Sequence, residues 1–273
     1  MSIKKENNKS AKKKERQKRI KFYETVFRSG RYSRGVNQNH PHYKDLITFI
    51  KNYNLHNKKV LEIGSGLGTL QDIVDDYTGI DITESLRKYY HKPYITVRNN
   101  IYPFPDNTFD GVFSRAVFEH IPNIEMAVKE TLRVLKPNGV WLFAPAWHVR
   151  SWATEGYTVR PYKELNIKEK LVKFSILWRE VLWYRALVTL FKRVFWTLQY
   201  LLDSSSFVNT MPYKKLKANY DIFWESDSDA CNSVDPYAAI LFFRRNKCEV
   251  VNYNLLTKAI LLRSSYLVIR KLS

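Results

Sequence analysis

Nine residues constrain this chain more than any others: Val60-Leu61-Glu62-Ile63-Gly64-Ser65-Gly66-Leu67-Gly68. Val60, Leu61 and Ile63 suit a buried parallel strand, and glycine then recurs at every second position. Glycine lets the backbone turn sharply and lets a ligand approach N–H groups where a Cβ would collide. Thr69 to Val74 is expected to start a helix whose N-terminal dipole faces the same crevice. Tyr77 to Ile82 reads as a second short strand with Asp81 near its end. A glycine turn followed by an acid at the next strand end is the logic of a nucleoside site, where the acid accepts ribose hydroxyls. A dinucleotide fingerprint G-x-G-x-x-G would need glycine at position 69, where this chain has Thr69.

The pattern present is E-x-G-x-G-x-G, led by Glu62. Further on come Pro103-Phe104-Pro105-Asp106-Asn107-Thr108-Phe109-Asp110, then Phe118-Glu119-His120-Ile121, then Leu132-Arg133-Val134-Leu135-Lys136-Pro137-Asn138-Gly139. In this order and spacing the strings resemble the class I S-adenosyl-L-methionine (SAM)-dependent methyltransferases, type 11 group, from Lys58 to Ala146. The resemblance implies an α/β fold: a Rossmann-like, doubly wound, seven-stranded sheet, with six parallel strands plus one antiparallel strand in a C-terminal hairpin. It also implies SAM as cofactor. Glu62 would orient the glycine loop or bond the methionine amine. Gly64 and Gly66, with Ser65 and Gly68 of the same loop, would line the cofactor, and Asp81, followed by Ile82, would hold the ribose hydroxyls. Asn100 and Ile101 would flank adenine, Asn100 standing nearest to where the family usually places an acid. Arg115 would turn its backbone toward the methionine part.

Organisation follows the same frame. Residues 1–40 read as a basic tail and a loop across the cofactor mouth, in which Tyr32, Arg34 and His40 are candidates to touch ligand. Residues 41–150 hold the SAM-binding core, opened by a helix from His42 to Asn52 and including strands at 94–97, 109–114 and 140–144. Pro122 is expected to open a helix through Leu135, stopped by the Pro137-Asn138-Gly139 turn. Residues 151–235 form an insertion, and 236–273 complete the core with a helix from Pro236 and two strands. Within the insertion, 165–202 is helical and rich in tryptophan, but charges interrupt every run long enough to span a bilayer. A helical cap over the crevice is the leading reading; a membrane-surface element and a partner interface are the alternatives.

Methyl transfer from a sulfonium needs orientation and a dry site more than covalent help. A general base matters when the acceptor is a hydroxyl, and His120, titrating near neutrality past the fourth strand, is the first candidate. His148 and Asp229 are lesser ones. Asp227, Asp229 and Asp235 have ligand-type oxygens, but acids in loops are usually solvated, and no metal is expected.

Net charge narrows the partners. The chain carries +19, and Met1 to Arg34 holds 13 Lys/Arg against 3 Glu. Such a tail suits anionic lipid or nucleic acid. Cys231 and Cys248 lack metal-ligand spacing, and no signal peptide is evident, so a cytoplasmic place is expected, at the inner membrane face if the helical stretch binds lipid. The expected activity is O-methylation of a bacterial cell-envelope glycan or lipid-linked small molecule. An RNA methyltransferase and a catalytically silent Rossmann-like binding protein are the alternatives.

Overall fold

The computed structural model describes residues 2–30, 41–98, 101–179, 181–202, 211–221, 227–262 and 266–273. The chain opens with helix α1 (Ser2–Arg28) and α2 (Pro41–Asn52). Strands β1 (Lys59–Ile63), β2 (Asp76–Asp81), β3 (Tyr94–Thr96) and β4 (Phe109–Arg115) follow. After them come α3 (Ile124–Val134), β5 (Leu135–Ala144), a short α4 (Ser151–Thr154), α5 (Ile167–Arg179) and α6 (Leu182–Leu202). The rest is β6 (Tyr213–Lys215), β7 (Asn232–Val234), α7 (Pro236–Arg245), β8 (Cys248–Val250), α8 (Leu256–Ala259) and β9 (Leu267–Lys271).

The main sheet has seven strands in the order β3-β2-β1-β4-β5-β9-β8. All pairs from β3 to β5 are parallel, and β9 runs antiparallel between β5 and β8. Six strands therefore share one direction and β9 opposes them, as the family resemblance implies. Side-chain alternation along each strand fills two cores, one per sheet face. Leu61, Val112, Trp141 and Phe143 pack with α3 and α7 on one face. Val60, Phe113, Leu142 and Val268 pack with Leu46, Phe49 and Ile50 of α2 on the other. Both faces are covered, which is why the centres of β1, β4 and β5 are built mainly from apolar residues such as Val60-Leu61, Val112-Phe113 and Val140 to Ala144.

Four expectations change. Thr69 to Val74 forms successive turns rather than a helix, closed by bonds such as Gln71 N–H to Gly68 O and Ile73 N–H to Leu70 O. A parallel crossover through a full helix needs about a dozen residues, and here three positive-φ glycines precede a segment that ends at Asp76. The basic tail is helical through Arg28, and Phe22 and Val26 bury its C-terminal half against the core. Pro137-Asn138-Gly139 is a bulge inside β5, where the register jumps between Phe109 and Gly111 of β4 and Asn138 takes φ +62°. The insertion, expected to be helical over 165–202 with its acids in loops, also contributes a small antiparallel ribbon, β6 with β7.

The insertion also ends inside the core. Cys231 N–H bonds Glu119 O, and Asn232 donates its side-chain amide to the carbonyls of Phe118 and Ile121. Asp235 caps α7 by accepting the Tyr237 N–H.

Candidate active site

A cavity of about 930 Å³ opens at the carboxyl ends of β1, β2, β4 and β5, where ligands of open parallel sheets bind. Its floor is the glycine loop. Gly64 and Ser65 donate their N–H groups to Ile80 O at 2.8 and 3.1 Å, which ties the loop to β2. Gly64 has φ +70°, and a Cβ there would stand 2.3 Å from a Val117 methyl. Gly66 has φ +50°, and its Cβ would meet only the Phe27 ring, at 3.5 Å. Asp81 braces this turn: one carboxylate oxygen accepts the Gly66 N–H at 3.1 Å, and the other accepts Ile82 N–H at 2.7 Å and Thr83 N–H at 3.3 Å. Burial raises the Asp81 pKa, and these three donors oppose the rise.

Glu62, next to the last residue of β1, lines the same cavity and accepts the Tyr77 hydroxyl. Burial lifts its carboxyl to about 8, with Asp81 adding to the effect and the Tyr77 bond opposing it. A buried carboxyl of this kind is poised for a cation, because an ammonium group would restore its ionised form. The cavity thus sets an open glycine cradle beside two buried carboxyl groups, Asp81 and Glu62, which could accept from ribose hydroxyls and from an amine. These groups fit SAM.

Opposite the loop stands an acidic cluster around His120. The imidazole Nδ1 lies 3.0 Å from Asp229 Oδ2, and Nε2 lies 3.6 Å from Glu119 Oε1. Asp229 also accepts the Tyr23 hydroxyl from α1, and Tyr23 meets the imidazole edge-on. Burial works to lower the His120 pKa, but Asp229, Glu119 and Asp227 outweigh it and lift it to about 10. An imidazolium has no free lone pair for a proton, so the expected base role of His120 gives way to that of a fixed cation. Its charge pulls Asp229 below the usual carboxylate range, whereas burial raises Asp227 and Glu119. Glu119, His120 and Asp227 bring three ligand-type atoms within 4.8 Å of one another.

Of the residues singled out from the sequence, Glu62, Gly64, Ser65, Gly66, Asp81, Ile82, Arg115 and His120 line this cavity. Arg115 reaches it with a side chain held 3.3 Å from Asp45 of α2. Gly68 does not line it: the Tyr90 ring fills the space its Cβ would take, at 2.8 Å, and the Tyr90 hydroxyl donates to the carbonyls of Ser65 and Gly66. Ile101 is exposed at 55% and does not line the cavity, and Val97 and Tyr102 form that part of the wall. Asn100, Tyr32, Arg34 and His40 lie outside the described residues. Asp235 faces Arg193 rather than the other acids, and His148 sits 3.4 Å from the same guanidinium. The lining comes from α1 instead of α5 and α6: Arg19, Tyr23 and Phe27 stand over the mouth, and no described residue between 151 and 202 reaches it.

Comparison with known proteins agrees with this geometry. Residues 61–143 match the family described as "Methyltransferase domain". A phosphoethanolamine N-methyltransferase of Caenorhabditis elegans is 29% identical over 129 residues, covering 40% of this chain and 30% of the relative. A sterol 24-C-methyltransferase of Schizosaccharomyces pombe is 28% identical over 99 residues, covering 30% and 26%. A SAM-dependent methyltransferase of known structure from Aquifex aeolicus is 18% identical, covers 47% of this chain and 75% of that one, and has a TM-score of 0.33. The chain thus spans between a quarter and a third of the length of these two curated relatives. Residues 61–143 thus carry the sequence pattern of a methyltransferase domain, the domain type whose cofactor is SAM.

Proposed function

We propose that the whole protein is a SAM-dependent methyltransferase that methylates a hydroxyl of a cell-envelope glycan or lipid-linked small molecule. Bound SAM supplies an activated methyl carbon, so the acceptor chiefly needs positioning and the loss of one proton. The observation that carries the reading is the placement of Asp227 in the wall that faces the glycine loop. Burial raises its pKa, and the His120 imidazolium beside it moderates that rise. A raised carboxylate accepts a hydroxyl proton more readily than an ordinary surface acid. Tyr23 and Asp229 fix the His120 ring from behind, and Phe27 and Trp147 close the remaining wall against water. Two matched relatives are named for small-molecule acceptors, a sterol and phosphoethanolamine, which is in keeping with a small-molecule acceptor here.

The test is label transfer from methyl-labelled SAM to lipid-linked sugars, free glycans, ethanolamine-type amines and RNA in parallel. Label on a sugar oxygen, lowered at least about 100-fold in kcat by Asp227→Asn with S-adenosylhomocysteine affinity intact, is the expected result. Label on nitrogen or on RNA alone overturns the acceptor. Failure to bind S-adenosylhomocysteine overturns the enzyme.

A further inference from the structure

Helix α6 is inside out. Its inward stripe is Thr189, Arg193, Trp196, Thr197 and Tyr200, with Arg193 only 2% exposed. Arg193 pairs with Asp235 at 3.0 Å and donates to Ile260 O at 2.8 Å, and Thr197 meets the Tyr237 hydroxyl at 2.7 Å. The polar groups of α6 thus hold it to α7 and the core. Its outward face carries Leu187, Phe191, Phe195, Leu198 and Leu202, exposed at 54, 76, 57, 50 and 85%. At 100° per residue these five surround the direction opposite Arg193. Helix α5 repeats the arrangement. Ile167, Leu171, Phe174 and Trp178 fall at helical spacing on one stripe and are 79, 65, 59 and 56% exposed.

A soluble monomer rarely shows so large a continuous apolar face. We infer that the α5–α6 hairpin is a docking surface for an anionic lipid bilayer, on which it lies without crossing. Three features select this occupant. No helix among the described residues is long and apolar enough to span a membrane, so the face suits the interface rather than the bilayer interior. The flanks of the stripes are basic: Lys168 and Lys170 border the α5 stripe and Lys192 borders that of α6, with its ammonium over the Trp196 ring. The acid of α5, Glu169, lies off the stripe and is engaged with Asn166 in reciprocal capping bonds of 2.9 Å, while α6 has no acid at all. Trp178 near the end of α5 and Trp183 and Tyr184 at the start of α6 are all exposed, the residue types that favour a headgroup zone. A second copy of a chain with net charge +19 would instead set like-charged flanks against each other.

The hairpin also stands beside the crevice. Asp235, which anchors Arg193, lies 3.8 Å from His148, the residue after Trp147 of the cavity wall. The inference does not depend on the acceptor proposed above, since membrane binding is read without cofactor or acceptor.

The test is flotation of the full chain with vesicles of phosphatidylcholine alone or with 30% phosphatidylglycerol (roughly, to mimic an anionic leaflet). Binding to the anionic vesicles is expected, and little to the neutral ones. Phe191→Glu with Leu198→Glu should abolish it, as should Leu171→Glu with Phe174→Glu on the other helix. Replacing Lys168 and Lys170 with Gln should weaken it about fivefold per charge, from ~1 kcal/mol per basic residue. S-adenosylhomocysteine affinity within twofold of the parent certifies folding for each variant. Absence of flotation at saturating anionic lipid overturns the inference. So does a dimer, measured by light scattering, that the Phe191→Glu variant dissociates while flotation stays absent. Equal binding to neutral vesicles overturns the anionic selectivity.

Discussion

The two walls of the cavity are built by different means. On the cofactor side, backbone does most of the work: Gly64, Gly66 and the N–H groups that Asp81 and Ile80 hold come from a single strand-turn-strand unit. On the opposite side, side chains from distant parts of the chain converge: Tyr23 from α1, His120 after β4, and Asp227 from the end of the insertion, with Asp229 buried behind His120. A wall made of backbone in left-handed conformation tolerates almost no substitution. A wall made of paired side chains loses function by degrees and responds to pH.

Gly64→Ala should therefore be the most damaging single change. It forces a Cβ to 2.3 Å from Val117 at φ +70°, and strain plus overpacking amount to roughly 2–5 kcal/mol. Calorimetric titration should show S-adenosylhomocysteine binding reduced at least about 100-fold, the equivalent of ~2.7 kcal/mol. Gly66→Ala is the comparator. Its Cβ meets only ordinary contact with Phe27, which leaves about 1–2 kcal/mol of left-handed strain. Equal loss in the two variants would mean that conformation, not the Val117 contact, sets the loop.

Glu62 ties the backbone wall to pH. Its carboxyl is protonated below about 8 in the free protein, and a bound ammonium requires it ionised. Affinity for S-adenosylhomocysteine should thus rise by up to about tenfold per pH unit from 6 to 8 and level off above. Glu62→Gln should bind more weakly at pH 8 and lose the slope. A flat profile in the parent protein would assign Glu62 to loop support alone.

How much of this was legible in the chain follows the same division. The strand from Val60, the glycine turn and Asp81 are contiguous, so local pattern places them correctly, and the alternating burial of β4 and β5 is written in their apolar runs. Thr69 to Val74 misled because its residue types suit a helix while the short distance to Asp76 leaves no room for one. The bulge at Asn138 misled similarly, since a helix stop and a strand bulge use the same Pro-Asn-Gly chemistry. Nothing local links His120 to Asp229, whose pairing depends on where the insertion returns. For α1, only Phe22, Tyr23, Val26 and Phe27 amid lysines hinted at a docked face, and that signal was too short to show periodicity.

The His120 cluster gives the next test. A histidine whose folded pKa is raised contributes stability fully below its unfolded value and loses it as pH climbs through the folded one. For His120 the window runs from the ordinary 6.5 to about 10. The midpoint of thermal unfolding should fall across that interval. Asp229→Asn removes the nearest carboxylate, so the His120 titration, followed by nuclear magnetic resonance, should move down and the stability slope should flatten. An unchanged titration would transfer control to Glu119 and Asp227.

The smallest expected effect decides which wall α1 belongs to. Tyr23 donates to Asp229 from a helix that also places Phe27 over Gly66, so α1 touches both halves of the cavity. Tyr23→Phe deletes one hydroxyl and keeps the ring against His120. A hydrogen bond to a charged partner is worth about 1.5–3 kcal/mol, and the His120 imidazole, still 3.0 Å from Asp229, would offset part of that loss. The expected outcome is a stability loss of about 1 kcal/mol, with affinity for S-adenosylhomocysteine within twofold of the parent and turnover on the acceptor reduced several-fold. Turnover falls because Asp229, deprived of one donor, holds the His120 ring less rigidly beside Asp227. If cofactor affinity dropped tenfold instead, the hydroxyl would be seating α1, and through Phe27 the glycine loop, and the division between a backbone wall and a side-chain wall would no longer hold.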